Sequence, residues 1–191
     1  MLEEILKIDT ELFIYLNNLG VPKFDSFWVS LSKLFANVIP YFLLMVFYVI
    51  TKKHSKSKFL EMFYIILVVV IMITISDQSA NLFKDSFQRL RPCYNEVIQD
   101  SIRLVKENCG GKYSFFSAHA SNSFSLAVFF GLLYKRNQRY LILVTVIYAS
   151  LISYSRVYLG VHYPLDIFFG AFFGIINGML IYKCYDFFNK A

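Results

Sequence analysis

Between Phe59 and Ile75 the chain is an almost unbroken run of Leu, Val, Ile, Met and aromatic side chains, interrupted only by Glu61 and Thr74. Roughly 20 mostly apolar residues are what a helix needs to cross a bilayer, and a soluble domain has few places to bury such a stretch. Further apolar runs bring the set to approximately 34–51, 59–83, 119–134, 139–156 and 164–183. The first contains Pro40, which a membrane helix tolerates as a kink. The third is short, with a Ser/Asn-rich start that points to protein rather than lipid as its surroundings. A composition of 57% hydrophobic and 19% aromatic residues among 191 agrees with a membrane protein. The expected architecture is all-α: a polytopic membrane helical bundle of five transmembrane helices, forming a single domain over 1–191.

The net charge of +6 does not indicate nucleic-acid binding, because the basic residues fall mainly in short gaps between apolar runs. No linker composition, internal repeat or protein-partner motif stands out. The start does not read as a signal peptide, since Glu3 and Glu4 occupy the place of a basic leader. Ile5, Ile8, Leu12, Leu16 and Leu19 recur at helical spacing, with Glu4, Lys7, Glu11 and Asn18 turned elsewhere. An amphipathic helix over 1–22, lying in the membrane interface or packed on the bundle, is expected.

Lys52, Lys53, Lys56 and Lys58 crowd one gap, Lys135, Arg136 and Arg139 another, and Lys183 and Lys190 flank the tail. Five spans put all three groups on one side, which is then cytoplasmic. The N-terminal helix, an extracytoplasmic loop over 84–118 and the turn around Gly160 fall on the other side. That loop is itself basic, carrying Arg89, Arg91, Arg103, Lys106 and Lys112. Cys93 and Cys109 lie in it, where oxidising conditions permit a disulfide. Closing a loop of about 15 residues is worth roughly 3 kcal/mol in the entropic model. Three unpaired cysteines are the alternative, and Cys184 belongs to the inner end of the last span.

Three clusters carry chemistry. Ser155-Arg156 is followed by His162 and, four residues on, by Asp166, with Pro164 suited to a first helical turn. Asp166 is close enough to fix the tautomer of His162 and leave the other ring nitrogen free to attack, although a histidine there also serves as a cap. Phe116-Ser117-Ala118-His119 precedes the third run, where helix N–H groups favour an anion and His119 is placed to protonate a leaving oxygen. Lys84 and Arg91 are seven residues apart, so they share a helical face until Pro92 closes it, with Asp77 and Asn81 on the same face. Snorkelling bases are the alternative for the last cluster, but they leave an acid inside the apolar run unexplained.

In this order, Lys84-(six residues)-Arg91-Pro92, Ser117-Ala118-His119 and Ser155-Arg156-(five residues)-His162-(three residues)-Asp166 resemble the tripartite signature of the type-2 phosphatidic acid phosphatase superfamily. The resemblance covers roughly 77–174, and its first and third parts match at every defining position. The second departs, with Phe116 where the family usually has Pro and Ala118 where it has Gly. The resemblance implies a phosphatase that needs no metal or cofactor. His162 attacks phosphorus and forms a phosphohistidine, Asp166 orients it, and His119 acts as acid and then base. Lys84, Arg91, Arg156, Ser117 and the backbone at Ala118 bind phosphate, with Asp77 and Asn81 in support. Phosphoryl transfer depends on positioning and charge neutralisation, which fixed cations supply. A bacterial inner membrane with the site facing the periplasm is implied. The substrate is a membrane lipid phosphate, undecaprenyl diphosphate ranking first, phosphatidic acid and phosphatidylglycerol phosphate next, and lipid A as the alternative of different meaning. A small transporter and a non-enzymatic lipid-binding relative are the remote alternatives. Arg103, Lys106 and Lys112 are either contacts to a larger anionic headgroup or a solvated face.

The topology predicts that, in a cysteine-free background, Asp100→Cys is modified in intact cells by a membrane-impermeant thiol reagent and Lys56→Cys is not. The reverse labelling pattern inverts the arrangement.

Overall fold

A computed structural model describes residues 1–52, 57–106, 108–134 and 138–190. Lys53, His54, Lys56, Lys135 and Arg136, which carry much of the orientation argument, lie outside the described residues. Seven helices are assigned among them: α1 Leu2–Asn18, α2 Asp25–Leu31, α3 Leu34–Thr51, α4 Lys58–Phe87, α5 Ala118–Leu133, α6 Leu141–Tyr158 and α7 Pro164–Lys190. Of these, α3, α4, α6 and α7 are long and apolar enough to cross a membrane, while α5 is shorter. Pro40 lies inside α3.

The short helix is the centre. Eleven of the 16 residues of α5 are buried, and α4, α6 and α7 pack around it. That enclosure accounts for its Ser/Asn content. Ser76 on α4 bonds to Ser121 (2.5 Å), Ser123 donates to Asn37 (2.9 Å), and Ser125 donates to the Gly174 carbonyl (3.1 Å). Polar side chains facing lipid would leave these groups unpaired, so they face protein.

Against α5 runs a stripe of glycines on α7, one turn apart. A Cβ at Gly170 would come within 2.6 Å of the Ser117 carbonyl, and one at Gly178 within 2.6 Å of the Ser125 carbonyl, with Gly174 as tightly set against Ser121. The two backbones therefore approach more closely than any side chain allows, as small-residue stripes permit in membranes. At the far end Lys52 (2.8 Å) and Tyr185 (2.5 Å) both bond to Glu61, tying α3, α4 and α7 together.

The N-terminal helix packs on the bundle, but through a face the apolar spacing did not mark. α1 buries Asp9, Phe13 and Asn17, while Ile5, Ile8, Leu12 and Leu19 point outward. It ends at Asn18 rather than near residue 22, because Val21 is extended and Pro22–Phe24 form a separate 3-10 turn. A second correction concerns α4. It stops at Phe87, where Gln88 adopts a left-handed conformation (φ 48°), so Arg91 is not on the helix with Lys84. The following segment pairs instead with 112–114, through Arg91 N to Lys112 O (3.0 Å) and Ser114 N to Arg89 O (2.8 Å).

Gly174→Leu is expected to destabilise the protein by at least about 1–3 kcal/mol, as overpacking does. Gly111→Ala, with nothing within 4 Å of the added carbon, should be neutral. Thermal unfolding in detergent micelles compares the two, and equal midpoints would remove the glycine stripe from the account.

Candidate active site

The end of α6 is built to deliver two residues. Gly160 (φ 80°) follows the helix, its N–H bonds to Val157 O (3.0 Å), and Val161 N bonds to Arg156 O (3.1 Å). This double bond pattern with a left-handed glycine is a Schellman ending. It reverses the chain so that His162 N also reaches Arg156 O (3.3 Å), setting His162 beside Arg156. Pro164 then opens α7, and Asp166 falls in its first turn.

His162 is 2% exposed. Its Nδ1 lies 3.4 Å from Asp166 Oδ2, which also accepts from Tyr163 N (2.9 Å). A carboxylate acceptor at Nδ1 favours the tautomer with the proton there, leaving Nε2 as a free base. Burial, followed by the charges of Arg91, Arg156 and Lys84, holds the imidazole well below the usual histidine range. At neutral pH the ring is therefore uncharged and nucleophilic.

Beside it, α5 begins. Ser117 is the N-cap; its hydroxyl accepts from Ala120 N (3.4 Å), and its own N–H donates to Asp166 O (3.0 Å). That hydroxyl's acceptor role is thus spent on the helix, while Ala118 and His119 occupy the first turn, whose N–H groups have no intrahelical partners. His119 lies within electrostatic reach of His162, Arg156, Arg91 and Lys106. Phe116, in place of the proline of the family pattern, is fully buried and stacks on Phe173 with ring centroids 4.7 Å apart.

Three cations face this pair of histidines. Arg156 is 3% exposed, and its Nε and Nη1 are enclosed without a hydrogen-bond partner among the described residues. Arg91 is held from behind, Nε to Tyr113 O (3.2 Å) and Nη1 to Cys109 O (2.6 Å). A disulfide joins Cys93 to Cys109, so the residue whose carbonyl grips Arg91 is tied covalently to the 3-10 turn just beyond Arg91. Lys84 comes from the last turn of α4 and meets Arg91 in a cavity of about 460 Å³ that Asn81, Asp85, Lys112 and Tyr113 also line. Asp77, a turn below Asn81, accepts from Asn122 (2.9 Å). Among the described residues no group of three His, Cys, Asp or Glu side chains is arranged to hold a metal ion.

The remaining bases divide. Arg103 is structural: Nη2 contacts both oxygens of Asp25 at 3.0 Å, and its backbone N–H donates to Asn17 (2.6 Å). Lys106 lies within reach of Arg156 and Arg91, and burial together with those charges lowers its ammonium below the ordinary lysine range. Lys112 lines the cavity. The sequence reading missed Arg89, Ser114 and Asp9. Arg89 Nη1 lies 3.2 Å from Asp166 Oδ1, and Ser114 contacts both His162 and Asp166. Asp9 bonds to Arg89 (2.6 Å). The available signal was spacing: Asp9 lies four residues before Phe13 and eight before Asn17, so the three share one face of α1.

A family model described as PAP2 superfamily matches residues 58–190. A lipid A 4'-phosphatase of Porphyromonas gingivalis is 36% identical over 187 residues, 96% of this chain and 75% of the relative. The lipid A 4'-phosphatase of Bacteroides thetaiotaomicron is 34% identical over 186 residues, 95% and 79% respectively. Among solved structures, the crystal structure of Aquifex aeolicus LpxE superposes with a TM-score of 0.67 and 27% identity, covering 91% of this chain and 94% of that one. A PAP2-type phosphatidylglycerolphosphate phosphatase from Bacillus subtilis superposes with a TM-score of 0.71 over 96% and 86%, a likeness of fold alone at 18% identity.

The geometry predicts that in unreduced protein Cys93 and Cys109 resist alkylation while Cys184 reacts. Mass spectrometry with and without reductant reads this, and alkylation of 93 and 109 without reductant would rule the bridge out.

Proposed function

Since the chain belongs to the PAP2 superfamily, a bacterial multi-pass membrane enzyme that hydrolyses lipid phosphates, we propose that its substrate is lipid A, dephosphorylated at the periplasmic surface. The observation that carries a phosphate reading is Arg156. Buried guanidinium N–H groups without partners cost free energy unless an anion completes them. Lys84 and Arg91 lie, like Arg156, within electrostatic reach of His162, and a cluster of three cations suits an anion of more than one charge, such as a phosphate.

In the proposed reaction His162 Nε2 forms a bond to phosphorus while the bond from phosphorus to the lipid oxygen breaks. His119 passes its proton to that oxygen. It then takes a proton from water, whose oxygen attacks phosphorus as the phosphorus–nitrogen bond breaks and phosphate leaves. Lys84, Arg91 and Arg156 hold the equatorial oxygens, together with the first-turn N–H groups of α5. Fixed cations and N–H groups in an enclosed site stabilise the spreading charge without reorganising. The extracytoplasmic loop, expected over 84–118, then runs over 88–117 between α4 and α5, within a single catalytic domain.

Undecaprenyl diphosphate ranked first on sequence alone, and both curated relatives favour lipid A instead. The polar cavity beyond Lys84 and Arg91 supports that order. Asn81, Asp85, Lys112 and Tyr113 offer hydrogen-bonding groups suited to a phosphorylated sugar, and a prenyl chain has no use for them.

Purified protein is expected to release phosphate from lipid A faster than from undecaprenyl diphosphate, phosphatidic acid or phosphatidylglycerol phosphate in mixed micelles. Fragmentation mass spectrometry should place the loss at the 4' position. Activity should survive a chelator and fall about a hundredfold or more in His162→Ala or Arg156→Ala. Efficient hydrolysis of prenyl diphosphate with little from lipid A would overturn the substrate and leave the reaction class. A metal requirement would overturn the mechanism.

A further inference from the structure

α1 reaches the catalytic end through each of its three buried residues. Asn17 donates to the carbonyls of Val157 (3.1 Å) and Tyr158 (3.0 Å) at the end of α6, and Phe13 packs edge-on against Tyr163 at 5.2 Å. Asp9 goes further in. Its Oδ1 accepts from Leu165 N (2.8 Å), in the first turn of α7, and its Oδ2 meets Arg89 Nη2 at 2.6 Å. Arg89 turns its other nitrogen to Asp166 Oδ1 (3.2 Å), over the ring of Tyr163 at 3.8 Å. The opposite oxygen of Asp166 faces His162 Nδ1. A continuous line of contacts thus runs from an interfacial helix to the candidate nucleophile.

We infer that Asp9 is a positioning residue for His162, acting through Arg89 and Asp166. This inference rests on the proposed role of His162 as nucleophile. The side chains of Asp9 and Asp166 are 3% and 0% exposed, so solvent does little to screen them. Two carboxylates share one guanidinium, which leaves the group with one net negative charge. With Asp9 neutral, Arg89 would spend its whole charge on Asp166 and offset the carboxylate that faces the imidazole. With Asp9 ionised, Asp166 keeps a negative charge for His162. The ring acquires positive charge as the nitrogen–phosphorus bond forms, so the compensation acts in the transition state more than on substrate binding. A buried ion pair is weak evidence for stability alone, because desolvation offsets much of its attraction. The additional hold of Asp9 on Leu165 N fixes the turn that carries Asp166 and directs the same residue toward the same end.

The test compares wild type, Asp9→Asn, Asp9→Glu, Arg89→Lys and Asn17→Ala, purified in detergent, with p-nitrophenyl phosphate and lipid A as substrates. In Asp9→Asn and Arg89→Lys, kcat should fall about ten- to hundredfold. KM and the inhibition constant of inorganic phosphate, which report on Lys84, Arg91 and Arg156, should stay within about threefold. Asp9→Glu should recover part of the loss. Asn17→Ala, which loosens α1 without touching the line of contacts, should lower the melting temperature with little change in kcat. If Asp9→Asn does not fold, Arg89→Lys alone decides. The inference is overturned if kcat is unchanged in the variants that fold, if KM or phosphate inhibition moves in place of kcat, or if Asn17→Ala loses kcat equally. A wild type active on p-nitrophenyl phosphate but not on lipid A overturns the substrate reading and leaves this inference standing. A wild type inactive on both overturns the reaction class and the inference with it.

Discussion

The close approach of α5 and α7 is the constraint from which the rest of the molecule follows. Helices in lipid gain little from hiding apolar surface from each other, so association depends on backbone proximity and polar contacts. Gly170, Gly174 and Gly178 supply the proximity, and Ser125 supplies polar contacts to Gly174 and Asn177 along the same seam. Where the seam reaches the water-facing end, Ser117 N bonds to Asp166 O, so the two helices begin side by side. His119 and Asp166 both sit in first turns there, and His162 stands two residues before α7. The meeting of the two histidines is thus a consequence of three residues lacking side chains, one turn apart, on the neighbouring helix.

Charge completes what packing begins. Burial first, and then the three cations around it, keep the imidazole neutral, so the groups that would receive a phosphate also help keep the candidate nucleophile from protonating. Each cation is brought by a different device: a helix end for Lys84, a Schellman ending for Arg156, and two carbonyls backed by a disulfide for Arg91. Because no single element carries all three, the cluster forms only when α4, α6 and the 84–118 segment are in place together. Such assembly suits a site that must hold repelling charges at fixed separations until an anion arrives.

The legible part of this design was the part written locally. The spans were visible because burial in lipid requires long apolar runs, and His162 with Asp166 because the two lie only four residues apart. The end of α4 was misread, since nothing in Gln88 announces a left-handed cap and the spacing of Lys84 and Arg91 suited a helix equally well. Arg103 could not be told from a substrate contact without knowing that Asp25 lies against it from 78 residues away. Asp9, Arg89 and Ser114 escaped for the same reason. Their partners are distant in sequence, and only the fold brings them together.

α1 shows how such distant contacts change the meaning of a familiar pattern. Its apolar stripe reads as the adhesive face, yet Ile5, Ile8, Leu12 and Leu19 point away from the bundle while an acid, an amide and one phenylalanine point into it. In water this arrangement would be doubly unfavourable, with greasy residues solvated and a carboxylate buried. The inward carboxylate meets Arg89 and the Leu165 N–H, and the outward apolar side has the composition of a helix suited to a membrane interface. The inward contacts of α1 run to Leu165 and Tyr163, so the residues around His162 are braced by an element more than 140 residues away in the chain.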